Sequence, residues 1–120
     1  MIIGLHHAQI TIPVGAEQQG RDFYCGQLGL DEIEKPQPLR ERGGFWLRVG
    51  DRNVHVGVEN DFDRTLAKAQ LAYEVSDLSY WRDHLSNLGI PIIEGIEIPG
   101  FIRFEFRDPF GNRVEMIQAI

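Results

Sequence analysis

Four side chains of this sequence, His7, His55, Gln70 and Glu115, are of types that can hold a divalent metal. Neutral imidazoles combined with a carboxylate suit Zn, Ni, Mn or Fe(II). An ion left with open coordination positions would polarise a substrate oxygen. The spacing of the four residues is long-range and irregular, so no local metal motif is present. Whether they act together depends on the elements that carry them. A histidine on a strand is, taken singly, more often structural than a ligand.

Those elements can be read from alternation and turn residues. Ile2 to Ile12 reads as a strand, with His6, Ala8, Ile10 and Ile12 on one face and His7, Gln9 and Thr11 on the other. Pro13 and Gly15 end it, and Ala16 to Leu28 reads as a helix stopped by Gly29. Strands are expected near Leu30–Glu34, Gly44–Val49 and Asn53–Glu59. The second half repeats the order. A strand at Gln70–Val75 precedes a helix capped by Asp77, with Leu78, Trp81, Leu85 and Leu88 on one face, before strands near Pro91–Glu94, Gly100–Arg107 and Asn112–Gln118. Asp108-Pro109-Phe110-Gly111 is the last turn.

The halves match in register. Leu28-Gly29-Leu30 lies sixty positions before Leu88-Gly89-Ile90, and the same offset sets Val54 on Val114 and His55 on Glu115. The first strands align at sixty-three, which sets His7 on Gln70. An internal duplication is therefore expected. The chain reads as one α+β domain, residues 1–120, with module 1 at about 1–59, a linker at about 60–68 and module 2 at about 69–120. Each strand has an apolar face for the helices and a second face rich in His, Gln, Glu and Arg. A one-sided antiparallel sheet in water shows the same split, but such a face usually carries Lys, Thr and Ser.

Composition narrows the partners. Eighteen acidic against twelve basic residues give a net charge of −6, which argues mildly against nucleic acid; it would favour a cationic ligand, but a charge of this size more often serves solubility alone. The single cysteine, Cys25, rules out an intrachain disulfide and suits a reducing cytoplasm. No apolar run is long enough to span a bilayer, and the first residues do not read as a signal peptide. A cytoplasmic location is the expectation.

The sequence resembles the glyoxalase/bleomycin resistance protein/dioxygenase superfamily, the vicinal oxygen chelate fold. The resemblance is carried by Leu5-His6-His7-Ala8-Gln9-Ile10-Thr11-Ile12-Pro13, Asp22-Phe23-Tyr24 with Leu28-Gly29-Leu30, Val54-His55-Val56-Gly57-Val58-Glu59 and Tyr73-Glu74-Val75-Ser76-Asp77-Leu78. Its most specific segment is Asp108-Pro109-Phe110-Gly111-Asn112-Arg113-Val114-Glu115. The resemblance implies two βαβββ modules forming an open, barrel-like sheet around a cleft, often in a homodimer with shared sites. It implies metal ligation by His7 and Glu115. Gln70 stands where a family His is common and His55 where some relatives have a glutamate ligand. It further implies Glu115 or Glu59 as a base, and Arg103 or Arg113 as a contact for a substrate carboxylate or phosphate. Gln9 and Trp46 join them as substrate contacts, with Phe45 and Phe101 as further candidates for an aromatic pocket. Gln9 also departs from the fosfomycin-modifying relatives, which carry a hydroxyl residue there.

Three readings follow. One is a divalent-metal-dependent lyase, isomerase, transferase or dioxygenase acting on a small oxygenated molecule. It is the favoured reading, because His7, His55 and Glu115 all stand in register. Another is a metal-free protein that binds a drug or metabolite, which the acidic charge and Gln70 favour. A purely structural domain is the least supported, since nothing in such a role calls for so polar a face.

Overall fold

Alternation builds the first strand only where a neighbour can pair with it. In the computed structural model, which describes residues 1–120, β1 is His7–Ile12 and runs parallel to β4, Arg52–Val58. His7 lies opposite Asn53, one residue from the start of β4. The expected strand from Ile2 is therefore too long. Residues 2–6 run past the end of β4, where the chain turns at Gly50-Asp51, and find no ladder there.

The chain divides into two compact units, Met1–Phe62 and Asp63–Ile120. In unit 1, β1 is followed by α1, Glu17–Arg21, which widens into a π-helical stretch at Asp22–Gln27. Gly29, at φ 74°, ends it in a left-handed conformation that costs a glycine little. Then come β2, Asp31–Ile33, a 3₁₀ segment at Gln37–Arg42, and β3, Phe45–Val49, before β4. The strand order is β1-β4-β3-β2. Ile12, Phe23, Tyr24, Phe45, Leu47, Val54 and Val56 form the buried core between helix and sheet. Gly20 allows the close approach, because a Cβ there would lie 3.0 Å from the Phe45 ring.

Unit 2 repeats the plan with β5, Gln70–Glu74, α2, Leu78–Asn87, β6, Ile93–Glu94, β7, Phe101–Arg107, and β8, Arg113–Ala119. Its order, β5-β8-β7-β6, is that of unit 1. Each unit is thus a βαβββ module built on an open, four-stranded mixed sheet that does not close into a barrel. The Asp77 carboxylate accepts the Tyr80 N–H at 3.1 Å and caps α2. Leu78 and Leu85 are buried with Tyr73, Phe104, Phe106, Val114 and Met116. Leu88, expected on that face, is instead 41% exposed, because the helix has ended and Leu88 is its C-cap. Asp108, 4% exposed, accepts from the Phe110 and Asn112 backbone N–H groups and from the Asn112 side chain, closing the turn before β8.

The registers of the two units correspond. Gln9 pairs with His55 and His55 with Trp46, while Ala72 pairs with Glu115 and Glu115 with Glu105. One row of the repeat carries Gln9, His55 and Trp46 in unit 1, and Ala72, Glu115 and Glu105 in unit 2.

Candidate functional site

In unit 1 the face opposite the helix gathers the predicted His7, Gln9, Trp46 and His55. Because Trp46 and His55 are register partners on adjacent strands, their rings lie face to face, 3.7 Å apart and 1° from parallel. His7 stacks on the same imidazole at 4.1 Å and 19°. His6 adds a short Nδ1–Nδ1 contact of 3.1 Å with His7. Burial, then the neighbouring His7, His6 and Lys35, hold His55 below the ordinary imidazole pKa, so it stays neutral more readily than a free histidine. Gln9 sits over Gly57, where a Cβ would come within 2.9 Å of its amide nitrogen, so the bare glycine makes room for this side chain.

Beside the stack is a recess of about 260 Å³ lined by Gln9, Lys35, Arg42, Trp46, His55 and Gly57. Lys35 Nζ donates to the Gly43 carbonyl at 2.6 Å, which ties the loop after β2 to this wall. Lys35 and Arg42 escaped the reading of the sequence. Both lie on an irregular segment with no periodicity, and their place follows from how the loop folds back. They also reverse the local sign: the chain is acidic, yet this recess is lined by two cations. Glu59, at the exposed end beyond β4, accepts from the Thr11 hydroxyl at 3.3 Å.

In unit 2 the corresponding face is a charge cluster. Arg113 holds Glu105 through two N–H groups, each at 2.9 Å. Arg103 donates to Glu115 and, at 3.4 Å, to Glu105, while its Nε–H bonds the Ile96 carbonyl at 2.9 Å. Glu105 and Glu115 are almost fully buried, at 6% and 5% exposure. Glu105 was not singled out from the sequence, although it lies on the polar face of β7 between Arg103 and Arg107. Gln70 is on the neighbouring strand, paired with Arg113. A second recess in this unit, about 670 Å³, is lined by Arg82, Glu94, Phe101, Ile102, Arg103 and Ile120, among others. Of the aromatic candidates, Phe45 is core, Phe101 lines this recess, and Trp46 belongs to the ring stack.

The structure thus brings His7, Gln9, Trp46 and His55 together in one unit, and Arg103, Arg113 and Glu115 in the other. No group of three His, Cys, Asp or Glu side chains is gathered as a metal site requires. Imidazole lone pairs lie in the ring plane, so two stacked, near-parallel rings send theirs along separate planes and not to one point. Glu115 already carries a guanidinium. As arranged, the residues within each unit do not fit a resident metal ion.

Two βαβββ units of the same strand order, each with a polar face opposite its helix, define the class of fold. The chain belongs to the Glyoxalase/Bleomycin resistance protein/Dioxygenase superfamily, whose profile it matches over residues 4–116. It is similar to a glyoxalase-family protein from Bacillus anthracis, with 38% identity, a TM-score of 0.91, and coverage of 100% of this chain and 98% of that one. It is 26% identical to a Bacillus subtilis (strain 168) protein named as a ring-cleaving dioxygenase, MhqO, over 97% of this chain. The chain spans only 40% of that protein's length. The fosfomycin resistance protein FosX from Listeria monocytogenes, solved with Mn(II) and sulfate, shares the fold at 13% identity and a TM-score of 0.77, covering 100% of this chain and 93% of that one. No helix of the chain is long and apolar enough to cross a membrane.

Proposed function

We propose that this chain binds a small, planar, oxygen-bearing anion, and that the unit 1 recess is where it does so. The observation carrying the reading is the juxtaposition of Lys35 and Arg42 with the Trp46–His55 stack and the Gln9 amide. Two cations meet a carboxylate or ionised oxygen, the amide hydrogen-bonds a second oxygen, and the aromatic rings favour a flat body. This is the metal-free reading of the family, placed in a cytoplasmic protein that works as a homodimer. The net charge is acidic, but the lining of the recess, with Lys35 and Arg42, is locally cationic.

Titration with salicylate, followed by Trp46 fluorescence against a Trp81→Phe background, tests it. Lys35→Met should weaken binding about tenfold or more, as loss of a charge-assisted hydrogen bond does. Salicylamide should bind less well than salicylate. Equal affinity of wild type and Lys35→Met, or preference for the neutral amide, would remove the reading.

A second reading, metal-dependent catalysis, is favoured by His7 and Glu115 holding the family's ligand positions. His7, His55, Gln70 and Glu115 would be its ligands, and a bound Zn, Ni, Mn or Fe ion would polarise a substrate oxygen. Glu59, which accepts from the Thr11 hydroxyl, or Glu115 would then act as base, and Arg103 or Arg113 as the anion contact. That reading requires Glu115 to give up or share Arg103, and the His7 and His55 rings to leave their stack.

A further inference from the structure

We propose that Arg103 is the built-in cation of unit 2, filling with its guanidinium the place at Glu115 that a divalent ion would otherwise take. The proposal deepens the metal-free reading above and rests on it only for the role of the protein, since its evidence lies wholly in unit 2.

Glu105 and Glu115 are register partners on β7 and β8, both almost fully buried. Two carboxylates held side by side out of water need compensating positive charge, because each would otherwise repel the other and lack hydration. Arg113 compensates Glu105. Arg103 is the only cation on Glu115, and it reaches Glu105 as well.

Its side chain is 14% exposed, so it is no surface ion pair. It is also built in. The Ile96 carbonyl fixes Nε, and Gly95 leaves the space the guanidinium fills. A Cβ at Gly95 would lie 2.8 Å from the guanidinium carbon and about 3 Å from both terminal nitrogens. The β6–β7 connection is thus shaped around this one group. A hard divalent ion also needs oxygen or nitrogen donors with free lone pairs. Glu115 spends its charge on Arg103, and its row partners are Ala72 and Glu105.

Mn(II) binding to the full chain, measured by electron paramagnetic resonance of free Mn(II), tests this. Wild type should show no binding that Glu115→Gln abolishes. Arg103→Met removes the charge and keeps much of the length, and should gain a Mn(II) site that the double variant with Glu115→Gln loses. Gly95→Ala displaces the guanidinium without deleting it, and should gain the same site more weakly. It also keeps the proposal testable if Arg103→Met does not fold. Wild-type binding lost in Glu115→Gln would overturn the proposal, as would folded Gly95→Ala protein with no gain. Either result leaves the Lys35 and Trp46 titration of unit 1 to be judged by itself.

Discussion

His55 shows how a residue's surroundings set its chemistry. It is sandwiched between Trp46 and His7, with Lys35 nearby, and its pKa lies below the ordinary 6.5. The folded chain therefore takes up this proton less readily than the unfolded chain. As pH falls through 6.5 the unfolded state is protonated first, so the stability His55 contributes is full above that pH and declines below it, until the folded-state pKa is reached. Urea midpoints at pH 8 and pH 5.5 should differ more for wild type than for His55→Gln. An identical pH response would mean that His55 is not held neutral. Cys25 is half-buried, and burial, then Glu32, raise its thiol pKa above the ordinary value.

At the scale of the element, local signals and tertiary contacts divide the work. Asp77 was legible as an N-cap because its carboxylate needs only a backbone N–H three residues on, and that bond forms. Asp77→Ala should cost about 1 kcal/mol, read as a lower urea midpoint with an unchanged slope. A midpoint equal to wild type would show that packing of Leu78 and Leu85 alone holds α2. The 3₁₀ segment at Gln37–Arg42 had no such signal. Its place is set by long-range ties, such as Lys35 to the Gly43 carbonyl, and by Gly44, where a Cβ would lie 2.0 Å from the Val56 carbonyl oxygen. The recess it helps to line was hidden for the same reason.

At the scale of the whole molecule, two units of one topology carry different residues at equivalent positions. The row with Gln9, His55 and Trp46 in unit 1 carries Ala72, Glu115 and Glu105 in unit 2, so one scaffold presents stacked rings in one unit and paired charges in the other. Family resemblance leads us to expect a homodimer, and sedimentation equilibrium at micromolar concentration should return twice the chain mass. A monomer mass throughout would leave each chain to form its site alone. Apolar alternation, glycine stops and the Asp108 turn by themselves determined the module, its repetition and the face on which His7, His55 and Glu115 stand, because strand period and turn chemistry are local. Only the tertiary structure decided the partners of those residues. Whether an imidazole stacks on a ring, or a carboxylate meets a guanidinium in a space left by Gly95, depends on residues that share a sheet row or a loop without being near in sequence.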